Sequence, residues 1–218
     1  MIRSAANGFR SLWLVVAITA VLSLAACGGG EEGATAGVTP EELDAMMLQA
    51  DDLPQSFSYD VTGDVLPLVG LSESPQRTAG LHLRSLLEEG LQEEGKTVCI
   101  VSDLELYASA EDAAARLAEE QQAIEGMAAG LPEEEGVPAK LDLPAIGDET
   151  DGFFLSAPRV SFCGWEAVQA EVVSLTFRKD KLLADVRTYT LGQGASTEQA
   201  IELARKLLAR IEAGLGEQ

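Results

Sequence analysis

Three cysteines, a single histidine and one tight knot of acids are the residues among these 218 whose types can do chemistry. They stand at Cys27, Cys99 and Cys163, at His82, and at Asp148, Glu149 and Asp151. Any Ser-His-acid or Cys-His hydrolase must use His82, whose helical neighbours Leu81 and Leu83 give no sign of a paired nucleophile. The chain holds no GxSxG, HExxH, GxxxxGKS or CxxC, and Gly192-Gln193-Gly194 lacks the third glycine of a dinucleotide turn. His82 therefore reads as a structural, solvated or half-buried residue, and neither a catalytic residue nor a cofactor is expected. Carboxylates alone can hydrolyse, and acids are abundant throughout, so a carboxylate-dependent hydrolase stays open as an alternative. Asp148, Glu149 and Asp151 are the candidates for a hard cation, which wants several oxygens from one loop. The EF-hand register fails there: with Gly152 as the invariant glycine, Gly147 falls at the first ligand position and Pro158 at the last. A solvated turn without metal is the reading, and Glu133-Glu134-Glu135 is a solvated loop by the same reasoning.

Cys27 has a different context. Arg3 and Arg10 precede an unbroken apolar run from Leu12 to Ala26 with no acid in it. A basic start followed by a short apolar run is an export signal, and this run is below the ~20 residues that span a bilayer comfortably. It closes on Leu24-Ala25-Ala26-Cys27, which resembles the lipobox of bacterial lipoproteins. The resemblance implies that residues 1–26 are a signal peptide and that Cys27 carries diacylglycerol and palmitate-like acyl chains. Two or three chains, at roughly 0.8 kcal/mol per buried methylene, hold a protein at a membrane without a spanning helix. Residues 27–37 then form the lipidated Cys and a flexible Gly-rich tether, Gly28-Gly29-Gly30 onward, reaching on the order of 15–20 Å. Residues 38–218 are the exported domain. The expected location is the extracytoplasmic side of the cell membrane, with the lipid as the membrane contact.

Export leaves two cysteines in an oxidising compartment, where an even pair commonly joins. A Cys99–Cys163 bridge closes a loop of about 65 residues and is worth roughly 4 kcal/mol on the chain-entropy argument; two separately buried thiols are the alternative. The whole chain has 15 Lys+Arg against 36 Asp+Glu, a net charge of -21. Without Arg3 and Arg10 the exported part stands at about -23, which argues against nucleic acid and against electrostatic docking on anionic lipid. At 46% apolar residues the composition is nevertheless that of a globular domain.

The elements follow from periodicity. Thr39-Pro40-Glu41-Glu42 opens a helix that presents Leu43, Met46, Met47 and Ala50 and stops near Asp51-Asp52-Leu53-Pro54. A short strand is expected over 57–62, and a helix over 81–94 with Leu83, Leu86, Leu87 and Leu91 in register. Residues 97–108 alternate as a strand with one buried face; Cys99, Asp103, Glu105 and Tyr107 form the other, mostly polar face. Ser109 caps a helix with Ala113, Leu117, Ala118 and Ile124 inward, and residues 130–144 form an acidic connecting loop. Phe153 to Ala157, Val173 to Arg178 and Leu182 to Val186 alternate as strands, the last two joined by a hairpin at Lys179-Asp180. Ser196 opens a closing helix with Ala200, Ile201, Ala204, Leu207, Leu208 and Ile211 inward. Successive strands without intervening helices make this an α+β fold: a mainly antiparallel sheet with helices packed on one face.

Asp52-Leu53-Pro54-x-x-Phe57, Leu143-Pro144-x-Ile146-Gly147-Asp148-Glu149, Leu175 to Leu182 and Ala204 to Ile211 together resemble a group of uncharacterised bacterial lipoproteins. The layout is also similar to extracellular sensor domains of bacterial receptor Ser/Thr kinases, α/β sandwiches with a cleft. These typically hold more than one disulfide, where this chain can form one. The resemblance implies a non-enzymatic, lipid-anchored envelope protein that binds a small ligand or an envelope partner. A carrier or chaperone for a lipid or apolar substrate is the other reading: a deep apolar cavity would favour it, and a shallow surface lined by Trp165 and Tyr189 would favour protein recognition.

Overall fold

The computed structural model describes residues 38–62, 76–130 and 136–216. The expected signal segment, Cys27, the expected tether and Glu133-Glu134-Glu135 lie outside the described residues. Helix α1 (Pro40–Met46) begins on a capping box: Thr39 Oγ1 accepts from Glu42 N at 3.2 Å, and Glu42 Oε2 accepts from Thr39 N at 2.7 Å. It ends sooner than its apolar spacing suggests. Gln49 Nε2 donates to the carbonyls of Asp44 and Met47, and Asp52 Oδ2 accepts from Gln49 N, so side chains take over the backbone groups a further turn would need. Of the strand expected over 57–62, β1 (Asp60–Thr62) forms, with Phe57 making an isolated bridge to Leu87.

The helix expected over 81–94 is a strand and a turn. β2 (Arg77–Leu86) is followed by a 3-10 turn at Glu89–Leu91. Leu83 and Leu87 fit a period of two as well as one of 3.6, and Gly80 weakens a helix. Pairing with β1 on one side and β3 (Thr97–Tyr107) on the other decides between them, since two ladders outweigh local preference. Helix α2 (Ala110–Gly130) starts where Ser109 Oγ accepts from Asp112 N at 3.1 Å. Ala113 and Leu117 face inward as expected, whereas Ala118 is exposed. The loop expected over 130–144 contains a two-residue strand, β4 (Ala139–Lys140). Then come β5 (Glu149–Phe162), β6 (Trp165–Lys179), β7 (Leu182–Leu191) and α3 (Thr197–Gly216), in the order the alternation indicated.

Among the described residues one antiparallel sheet holds all seven strands, in the order β1-β2-β3-β7-β6-β5-β4, and it does not close on itself. Its centre is the pairing of β3 with β7. One face of these strands, with Leu83, Ile100, Leu104, Val173, Leu175, Phe177, Ala184 and Val186, packs beneath α1 and α3 as the main core. The fold is α+β, with α1 and α3 on this face. Helix α2 lies across part of the opposite face, where Ala113 and Leu117 meet Tyr107 and Leu183.

That opposite face is the one the alternation marks as mostly polar, with burial expected only on the other. Instead every residue of β3 from Val98 to Tyr107 is buried, because α2 covers one end and the β5–β6 hairpin covers the other. β6 pairs with β7 only as far as Ala170, so the hairpin beyond it is free to fold back over the sheet. Two contacts fix it there: the Cys99–Cys163 disulfide and a stack of Phe162 on Tyr189, ring centres 4.5 Å apart and planes 13° from parallel.

Candidate functional site

Alternation along the central strands puts ionisable side chains on this covered face. In the β3–β7 ladder Asp103 stands directly opposite Asp185, an arrangement in which two carboxylates repel. Arg187, two residues further along β7, bridges them: its Nε lies 2.5 Å from Asp185 Oδ1, and its Nη2 pairs with Asp103 Oδ2. The second oxygen of Asp185 accepts from Ser174 Oγ and Thr176 Oγ1, each at 3.1 Å. The second oxygen of Asp103 lies 2.6 Å from His82 Nδ1, which reaches it from β2 in direct register. Burial raises the Asp185 carboxyl against the pull of Arg187, and the negative charge of Asp103 adds to the rise. The same two carboxylates hold Arg187 firmly in its charged form despite its burial.

The network continues beneath α2. Glu105 Oε1 pairs with Arg77 at 3.3 Å, and its other oxygen accepts from Tyr107 OH at 2.5 Å. From α2 itself, Arg116 Nε stands 3.3 Å from Glu120 Oε1. Burial lifts Glu120 to about 8, with Asp185 next in effect and Arg116 opposing. These raised carboxyls sit under the helix and not in the open cleft.

The cleft lies between the folded-back hairpin and the β1–β2 edge, with a volume of about 430 Å³. His82, Val101, Arg187 and Tyr189 form its floor; Ser161, Phe162, Cys163 and Gly164 form the hairpin wall; Asp60 and Arg84 form the rim, 3.8 Å apart. Ser161 Oγ accepts from Ala167 N at 3.1 Å. Among the described residues no hydrogen bond joins it to His82, so the imidazole has an acid partner but no hydroxyl to activate.

The sequence-level candidates are placed as follows. His82 is neither solvated nor on a helix; it is a buried strand residue at the cleft floor. Cys99 and Cys163 are joined, and the bridge anchors the cleft wall. Asp148, Glu149 and Asp151 are divided among basic partners: Asp148 and Glu149 pair with Arg178, and Asp151 pairs with Lys140. Asp148 Oδ2 also accepts from Asp180 N at 2.8 Å, pinning the β6–β7 turn. Among the described residues no group of three or more His, Cys, Asp or Glu is placed to hold a metal. Tyr189 stacks beneath Phe162 inside the cleft, so it and Trp165 do not form a shared exposed surface.

Arg84, Asp103, Asp185 and Arg187 were absent from the sequence-level candidates. The available signal was an acid in the middle of each of two strands, flanked by buried apolar residues, at positions whose parity makes them neighbours once those strands pair.

No protein-family model matches the chain, and no curated protein does. Among solved structures the fold is similar to the extracellular domain of PknH from Mycobacterium tuberculosis. The TM-score is 0.54 at 15% identity, over 81% of this chain and 97% of that one. At that identity the likeness is one of fold.

Proposed function

We propose that the chain is a lipid-anchored protein of the bacterial cell envelope whose exported domain binds a small ligand in this cleft without catalysing a reaction. The observation that carries the reading is the cleft itself: aromatic and charged groups converge on about 430 Å³, and a disulfide holds one wall in place. A structural disulfide suits an oxidising compartment. The similar fold is that of an extracellular domain, and no helix among the described residues is long and apolar enough to cross a membrane. Lipidated Cys27 then supplies the anchor. The non-enzymatic reading rests on the Ser161 hydroxyl being bonded away from His82, and on the raised carboxyls of Asp185 and Glu120 lying outside the cleft lining.

Mass spectrometry of the native protein tests the ligand. A co-purifying mass of a few hundred daltons, lost on replacing Val101 by Trp to fill the floor, is the expected result. A bound mass retained by the folded Val101→Trp protein would place binding elsewhere. The anchor has its own test. Cys27→Ala should release the protein from membranes or leave its signal unprocessed, and a processed variant that stays in the membrane fraction would contradict lipidation at Cys27.

A further inference from the structure

We propose that the cleft selects an oxyanion carried on an apolar body: a carboxylate or phosphate group attached to a small aromatic or aliphatic unit. The proposal rests on the reading of the cleft as a ligand site and names the ligand's chemistry. It follows from an inventory of donors and acceptors. Behind the floor, outside the cleft lining, the carboxylate oxygens are already engaged: Asp103 by His82 and Arg187, Asp185 by Arg187, Ser174 and Thr176. Neither acid lines the cleft, so neither meets a ligand's donor there.

What remains are donors. Arg187 spends N–H groups on its two carboxylates and on Tyr189, and its guanidinium, a donor-only fork, carries further N–H groups beyond these. Arg84 at the rim is half exposed and, among the described residues, meets only Asp60, loosely, at 3.8 Å. The Nε2 of His82 has no partner among the described residues, while Nδ1 is held by Asp103. Two guanidinium groups and an imidazole thus converge in a chain whose net charge is -21. Guanidinium groups match carboxylate and phosphate oxygens with paired hydrogen bonds. The remaining lining sorts in the same way. Phe162, Val101 and the ring of Tyr189 give an apolar wall against which the ligand's body can lie. Asp60 is the one lining acid among the described residues, and it sits at the rim, where a ligand anion replaces it as the partner of Arg84.

The test compares four probes of one size on the purified full-length protein: benzoate, phenyl phosphate, benzyl alcohol and benzylamine. Binding is followed by amide NMR shifts at Val101, Cys163 and Gly164. Benzoate, phenyl phosphate or both should bind at least tenfold more tightly than the alcohol and the amine, and whichever acid binds better identifies the oxyanion. Arg84→Gln, a half-exposed position whose replacement leaves the buried network intact, should weaken the acids about tenfold, the loss expected for one charge-assisted contact. Equal binding by the alcohol or the amine would overturn the oxyanion assignment while leaving the cleft as a ligand site. Acids that bind Arg84→Gln as tightly as the parent would overturn it too. Shifts from none of the four probes would remove both the assignment and the site.

Discussion

Asp185 is almost sealed from solvent, and both of its oxygens are engaged, one by Arg187 and one by two hydroxyls. Glu120, across from it on α2, has only Arg116 near one oxygen and is lifted to about 8. A carboxyl whose folded value exceeds its ordinary value of 4.5 binds more protons folded than unfolded between those two points. Its contribution to stability is therefore fully present in acid and is lost as the pH rises through about 8. Asp185, raised in the same direction, acts with the same sign. Unfolding free energy should fall across this window by an amount on the order of a few kcal/mol. In Glu120→Gln the slope should be shallower, because one titrating group is gone. Urea titrations at a series of pH values measure this, and an unchanged slope in the variant would show that Glu120 is already ionised in the folded protein.

At the scale of elements, the turn before β5 shows how an acid-rich segment can be structural. Gly147 has φ +67°, and a Cβ there would run into the carbonyl oxygen of Arg178. That close approach allows Asp148 N to donate to the same carbonyl at 2.8 Å while its side chain pins Asp180 N. Gly147→Ala should cost about 2 kcal/mol or more, from the left-handed backbone and the clash together. A lower urea midpoint with an unchanged slope is the expected outcome; a midpoint equal to the parent's would mean that the turn relaxes freely. The acids Asp148, Glu149 and Asp151 read as a solvated turn with a cation loop as the alternative, because nothing local reveals that Arg178 and Lys140 stand opposite. The same limit explains β2. The C-terminal meander and α3 were legible because their alternation and capping are local, and Thr39 and Ser109 announced their helices for the same reason. His82 was misplaced because Leu83 and Leu87 satisfy two periods at once. The polar face of β3 was recognised, but its burial depends on α2 and on a hairpin returning from sixty residues away, which parity alone does not disclose.

For the whole molecule, a net charge of -21 means that the folded state holds many like charges closer together than the unfolded chain does. The internal ion pairs under α2 are buried and weakly screened, whereas the surface acids are not. Added salt should therefore stabilise: the screening length shrinks from ~10 Å at 0.1 M to ~3 Å at 1 M. Thermal midpoints should rise between these concentrations of sodium chloride. A midpoint that falls would mean that surface ion pairs, such as Arg178 with Glu149 and Lys206 with Glu202, outweigh the general repulsion.

The placement of β7 at the middle of the sheet has a consequence for synthesis. A ribosome delivers β2 and β3 long before β7, yet β3 needs Leu182–Leu191 as its second neighbour. The β5–β7 meander can zip up locally, but the seam between the halves closes only after most of the chain has emerged. Until then the most apolar strand of the amino-terminal half has an open edge. Whatever machinery handles the nascent chain must shield that edge, and a truncation between Lys179 and Leu182 leaves two half-sheets with no strand to join them.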